Sequence, residues 1–344
     1  MHKVKFHTVT LLLLFLSCSA ARSQDVVFNH PYAGMLYTNP AYTGIFGTGH
    51  VGATFRSQYS ASAAPYTTYY AEADAFIEDW KSGFGGYLLN DRAAGGQLVQ
   101  TAIGLSYMFS LRVSEELEFR PALQAVYHNK RRDFQTFTFP DQIGATGIVT
   151  PIVGGYEPYN YSTVDFSAGF LARYRYLELG FSAHHLGAQE IEGQPATPMR
   201  FNAHAKYIIP LFNNNQPTEV SLRHWADLEN TKFIPYLQFT HQSVYKYLNA
   251  GLIIQSGALF AGGGVKTALQ QEVINMAISA GFITSNFRIG YSMDFIAFGN
   301  SLKGWSGLSH EVFVHISFNN EEQPTGRRKQ KPKWRSRSTR GCYL

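Results

Sequence analysis

The feature that most constrains this chain is hydropathy that alternates every second residue, in segment after segment, with no apolar run long enough for a membrane helix. In LVQTAIGLSYMF (98–109), Val99, Thr101, Ile103, Leu105, Tyr107 and Phe109 fall on one face. Gln100, Ala102, Gly104 and Ser106 fall on the other. ELEFRPALQAVYH (116–128) splits the same way, with Leu117, Phe119, Pro121, Leu123, Ala125 and Tyr127 opposite Glu116, Glu118, Arg120, Gln124 and His128. That is strand spacing, not helical spacing. Similar segments recur at 50–58, 66–76, 82–91, 162–173, 176–186, 200–210, 217–225, 232–240, 246–255, 258–267, 270–283, 286–296 and 308–318.

Composition decides where such strands could live. Aromatic residues make up 15% of the chain and charged residues only 15%, against about 25% charged in an average soluble domain. Mean hydropathy is still only -0.16, as expected when alternate residues face lipid and the others a polar interior. In lipid no sheet edge can stay open, so the strands must close into a barrel. Bacterial single-chain barrels have an even strand number. The weakest segment is 217–225, beside the turn-like NNNQP (213–217). The expectation is all-β: a transmembrane antiparallel β-barrel of about 14 strands over 49–318, with a wet lumen. A soluble β-sandwich fits the long strands and their aromatic outer faces less well. Tight connections are expected near 173–176 and 284–286. The long stretches 129–161 and 187–199 read as external loops, the first alternatively as a lumen plug.

The two ends differ from the body. Lys3 and Lys5 precede an apolar run from Val9 to Leu16, and Ala21-Arg22-Ser23 precedes Gln24. This reads as a secretory signal over 1–23, too short to span a bilayer, which takes about 20 apolar residues. Cys18 lies in a poor lipid-attachment context, which leaves Cys342 alone in the mature chain, without an internal disulfide partner. Residues 24–48 read as a periplasmic segment that leads into strand 1 and caps the lumen. At the other end, Val312, Val314, Ile316 and Phe318 form a lipid-facing row, with Phe313, His315 and Ser317 opposite. A last strand ending in Phe resembles the C-terminal insertion signal of outer-membrane barrels. It must pair with the first strand and end near the periplasmic rim.

Residues 319–344 then form a basic, flexible periplasmic tail carrying Arg327, Arg328, Lys329, Lys331, Lys333, Arg335, Arg337 and Arg340. Its Pro, Gly, Ser, Gln and charged residues cannot bury enough apolar area to fold alone. The net charge of +5 is therefore terminal. Removing three positive charges of the signal and a net six of the tail leaves residues 24–318 at -4. Anionic headgroups, lipoproteins or peptidoglycan are the expected neighbours of the tail. Nucleic acid is not, because an exported protein does not routinely meet it.

Motifs for chemistry are weak. GTGHVG (47–52) opens a strand rather than a helix, so it reads as a turn and not a dinucleotide site. GGGV (262–265) lies within a strand and marks close backbone approach. His310 and His315 are five apart on a strand and point to opposite faces. The adjacent His184 and His185 are expected to diverge in the same way. No G-x-S-x-G is present. The reading is non-enzymatic, with no catalytic, cofactor or metal residues.

QDVVFNHPYAGMLYTNPAYTG (24–44), GFGGYLLNDRAAGGQ (83–97), DFSAGFLARY (165–174), LELGFSAHHL (177–186), FRIGYSMDF (287–295) and GLSHEVFVHISF (307–318), in this order, resemble the PorP/SprF family of type IX secretion system membrane proteins of the Bacteroidota. Asn39, Pro40, Ala41, Gly44, Asn90, Asp91, Gly95, Asp294, His310, Glu311 and Phe318 are the motif residues, structural or interacting in role. Met293 stands where the family usually has an aromatic, and 211–231 matches poorly. The resemblance implies an integral outer-membrane barrel with both termini periplasmic, supporting export or surface attachment of secreted cargo. It also implies periplasmic ring or lipoprotein partners of the PorK/PorN kind, and peptidoglycan-associated proteins. The alternative is an outer-membrane diffusion channel or a transporter of hydrophobic compounds.

Overall fold

A computed structural model of the chain describes residues 25–60, 62, 64–133, 158–188, 190, 196–211, 231–269, 273–298 and 308–318. Fourteen long strands form the wall: β1 His50–Gln58, β2 Tyr66–Ile77, β3 Ser82–Ala93, β4 Leu98–Phe109, β5 Leu117–Arg132, β6 Tyr159–Tyr174, β7 Leu177–His184, β8 Arg200–Tyr207, β9 Lys232–Gln242, β10 Tyr245–Ser256, β11 Leu259–Ala268, β12 Val273–Ile283, β13 Phe287–Phe298 and β14 Ser309–Ser317. Two-residue pieces, Leu111–Arg112 and Ile209–Pro210, pair with β5 and β9.

Every strand pairs antiparallel with its sequence neighbour, and β8 pairs directly with β9 through Leu237↔Ala205 and its neighbours. The segment 217–225 lies outside the described residues, and the ring closes without it. β1 pairs with β14 from His50↔Ser317 to Gln58↔Ser309. No edge is left open, which is what the hydrocarbon core demands. Among the described residues no helix is long and apolar enough to cross a membrane.

The alternation sorts the faces as the sequence implies. In β4, Ile103, Leu105 and Tyr107 are exposed to the membrane side, while Ala102, Ser106 and Met108 are buried. In β14, Val312 and Ile316 face out, and Phe313, His315 and Ser317 face in. The GGGV strand shows why side chains are missing there. A Cβ at Gly251 or Gly264 would meet the Tyr236 hydroxyl at 2.5 or 2.7 Å, so glycine lets that ring lie flat on the wall.

The two rims differ. One, the short-turn rim, holds the tight connections 78–81, 110–116, 175–176, 257–258 and 284–286, the longer connection 208–231, the start of β1 and the end of β14. The opposite, long-loop rim carries 133–158, 185–199 and 299–308 together with the shorter 59–65, 94–97, 243–244 and 269–272. The long connection between β5 and β6 is narrower than 129–161, because β5 runs to Arg132 and β6 starts at Tyr159; most of that loop lies outside the described residues.

Candidate functional site: an occupied lumen

The lumen is occupied by the chain itself. The stretch 24–48 is expected as a periplasmic segment that caps the lumen; in the structure residues 25–47 run through the inside of the barrel. Phe28, Met35, Leu36, Tyr37, Tyr42 and Phe46 are buried there against Tyr70, Tyr87, Leu89, Met108, Leu171 and Phe313 of the wall. Phe28 and Tyr37 meet edge to face at 6.0 Å, and Tyr37 meets Tyr87 likewise at 5.7 Å. This arrangement suits aromatic quadrupoles.

Local sequence explains how the segment turns. Gly34 has φ 61 and precedes a single helical turn, Met35–Thr38. Asn39 is extended, and its side-chain oxygen accepts from the Ala41 amide at 2.9 Å. Pro40 opens the 3-10 turn Pro40–Tyr42, where its fixed φ and missing N–H cost nothing. Gly44 has φ 70, which a side chain would strain.

Such irregular backbone carries many unpaired groups, and the wall supplies partners for them. Glu311, fully buried, accepts from the amides of Asn29 and His30, each at 2.9 Å. Glu72 accepts from the Leu36 amide at 3.1 Å, and Asp74 from the Gly44 amide at 2.7 Å. Arg120 donates to the carbonyls of Ala41 (3.2 Å) and Thr43 (2.7 Å). Arg200 donates to the Tyr37 carbonyl at 2.8 Å and lies over its ring. The Thr38 carbonyl receives the Ser182 hydroxyl and the Asn202 amide. The Tyr42 hydroxyl donates to Glu178 at 2.8 Å. Charge-assisted bonds of this kind are about twice as strong as neutral ones.

One latch fixes the start of the segment. Asp25 lies beside His185 (2.7 Å) and Arg200 (2.9 Å), and the other nitrogen of His185 lies 2.5 Å from Asp165. Burial opposes the charged form of His185, but Asp25 and Asp165 outweigh it and raise the imidazole to about 9. Burial likewise opposes the Asp25 carboxylate, yet His185 and Arg200 hold it well below its usual value.

The latch corrects one sequence expectation. His184 and His185 do not diverge; both are buried, because β7 ends at His184 and His185 takes φ 62, folding the ring back inside. Asp25 is held by Gln242, the last residue of β9, and by Arg200, the first of β8. It therefore sits at the long-loop rim, opposite the start of β1.

The motif residues divide into groups. Asn39, Pro40, Ala41 and Gly44 form the turn inside the lumen, and Glu311 holds the same segment from the wall. Asn39 donates to the carbonyls of Phe170 and Phe181, and a Cβ on Gly169 would overlap its side-chain oxygen. Asp294 faces inward and is buried on β13. Asn90 and Asp91 lie within β3, bonded to Thr101 and Thr68. Gly95, with φ 64, makes the turn that follows. His310 lies on the outer side with the Tyr291 hydroxyl at 2.7 Å. Phe318 is exposed at the short-turn rim, its amide and carbonyl paired with Gly49 and Thr48. The basic tail residues 327–340 and Cys342 lie outside the described residues.

Sequence reading missed Glu72, Asp74, Arg120, Glu178 and Arg200. Their signal was charge on the inward face of strands, which reads equally well as a hydrated lumen. Among the described residues, two inward clusters have the donor sets of metal sites, His50–Glu72–His315 and His128–Asp165–His185.

A family model described as "Type IX secretion system membrane protein PorP/SprF" matches residues 20–316. No curated protein matches the chain. Among solved structures, the Pseudomonas putida toluene transporter TodX is similar over 83% of this chain and 94% of its own, at 10% identity and TM-score 0.46. The CymD monoaromatic hydrocarbon channel is similar over 86% and 95%, at 14% identity and TM-score 0.45. A Pseudomonas aeruginosa FadL homologue is similar over 79% and 89%, at 8% identity and TM-score 0.42. Likenesses this distant say nothing about cargo.

Proposed function

Because this chain belongs to the PorP/SprF family of type IX secretion system membrane proteins, we propose that it is a closed outer-membrane scaffold of that machinery rather than a conduit. The observation that carries this reading is the lumen filled by the chain's own residues 25–47 and fastened by buried carboxylates and arginines. A diffusion channel needs a hydrated path, and this segment stands in it. Its role is then to support export or surface attachment of cargo by holding other components at the membrane.

The rim with five short turns is the periplasmic one in this reading, since periplasmic turns are mostly short; 208–231 is the one long connection there. The chain leaves β14 at that rim, so the tail with Arg327 to Arg340 starts where periplasmic ring proteins or lipoproteins would stand. Acidic surfaces on such partners, or anionic headgroups, suit its charge. No catalytic step is part of this role.

Deletion of the gene, with a complemented control, tests it. Loss of extracellular type IX cargo, or of its surface attachment, is the expected result. Restoration of secretion by a chain ending at Phe318, with partner co-purification intact, would remove the tail from the account. Normal secretion with altered uptake of small solutes would overturn the scaffold reading.

A further inference from the structure

The seam between the first and last strands carries a cluster that the scaffold role does not use. His50 on β1, Glu72 on β2 and His315 on β14 meet on the lumen side, each almost fully buried. His50 Nε2 lies 2.9 Å from His315 Nδ1, and His315 Nδ1 lies 3.6 Å from Glu72 Oε1. The three atoms converge over Gly52, which pairs with both His315 and Glu72. A Cβ on Gly52 would lie 2.6 Å from His315 Nδ1, so only glycine leaves that space.

Neighbouring groups orient the ligand atoms. Asp74 Oδ2 lies 2.7 Å from His50 Nδ1 and accepts its N–H, which directs the Nε2 lone pair at the cluster. A carboxylate behind a ligand histidine is the usual support of a metal-bound imidazole. Glu72 Oε2 is engaged by the Leu36 amide and the Tyr70 hydroxyl. Its Oε1 is buried and makes no hydrogen bond. Phe46 covers the cluster, with its ring centroid 4.1 Å from that of His50.

We propose that His50 Nε2, His315 Nδ1 and Glu72 Oε1 bind a divalent transition metal of the Zn2+ class at the barrel seam. Two histidines and a carboxylate are a familiar zinc set that leaves a fourth position open. Ligand distances of about 2.0–2.1 Å place tetrahedral donors about 3.3 Å apart. The two nitrogens need only separate slightly. The bound ion would join β1, β2 and β14, and through Glu72 and Asp74 it would also stiffen the hold on Leu36 and Gly44. The cluster of His128, Asp165 and His185 is a poorer candidate. Both nitrogens of His185 face carboxylates, so both carry protons and neither has a free lone pair.

The test uses the full-length protein, purified in detergent without a histidine tag, incubated with Zn2+ and freed of excess metal. Mass spectrometry of metal content should give one equivalent, and Co2+ in its place should give a visible ligand-field spectrum. Glu72→Gln and His315→Asn should each lose the bound ion, Asp74→Asn should weaken binding by about 10- to 100-fold, and His128→Asn should keep it. Folded barrel in each variant is verified by its heat-modifiable gel mobility. The wild-type stoichiometry does not depend on any variant. Wild-type protein that retains well under one equivalent overturns the proposal. So does an ion retained undiminished by folded Glu72→Gln and His315→Asn.

Discussion

Residues 25–47 and strand β14 are both buried on one side, yet they are held by different physics. β14 is secured by a continuous ladder to β1 and β13, with its outer face left to lipid. The luminal segment has almost no ladder. It is held by side chains of the wall, Glu311, Glu72, Asp74, Arg120 and Arg200. A ladder spreads its free energy over many equal bonds, whereas the luminal segment concentrates it in a few buried charges. Single substitutions should therefore barely disturb the strand and readily loosen the segment.

The sharpest contrast lies within β14 itself. Glu311→Ala leaves the amides of Asn29 and His30 without an acceptor and Arg56, 3.7 Å away, without its anion. Removing one partner of a buried charge pair costs about 3–5 kcal/mol. Limited proteolysis should then cut the chain near Asn29 while the barrel stays folded; full protection would show that β14 does not anchor the segment.

Next in size is Gly169→Val. Its side chain would overlap Asn39 and Pro40, and overpacking of this kind costs about 1–3 kcal/mol. The urea midpoint for exposure of the segment should fall, and an unchanged midpoint would mean that the turn at Asn39 can shift freely.

A pH profile tests the latch at Asp25. His185 is raised from its ordinary value near 6.5 to about 9, so its contribution is full below pH 6.5 and is lost as pH rises through 9. Asp25 is lowered, so its contribution is present above the ordinary carboxylate value and is lost only at acid pH. Protease protection of the chain next to Asp25 should therefore weaken between pH 7 and 10 in wild type. It should be weaker and flat over that range in His185→Asn. A flat wild-type profile would remove the latch.

The smallest effect is expected for Ile316→Ala on the outer face of β14. Its side chain faces lipid and not the luminal segment, so protease protection near Asn29 should stay as in wild type. Loss of that protection would show that the outer face of β14 also holds the segment.

The same difference sets what the sequence reveals. Val312, Phe313, Val314 and His315 sort themselves by period two, because a strand's faces are decided locally. The closure of β1 on β14 follows once an edge is forbidden in lipid. Nothing local distinguishes a run from His30 to Gly44 that fills the lumen from one that only caps it. Its apolar residues follow no period, and Gly34, Asn39, Pro40 and Gly44 read as ordinary turn chemistry. Their burial is decided by Glu72, Asp74, Arg120 and Glu311, each distant in sequence. On those strands, inward charge has the same pattern whether it faces water or a backbone amide. His185 was misread for a related reason: period two holds only while the strand lasts, and β7 ends one residue earlier. The seam cluster needs three strands in register, which a closed barrel fixes and a linear pattern does not.

The central claim is that the barrel is closed by its own luminal segment. Recording from the full-length protein in planar lipid bilayers tests it most directly. The account predicts no stable conductance steps for wild type and intermittent steps for Glu311→Ala. Steady open-channel current from wild-type protein at low voltage would contradict it.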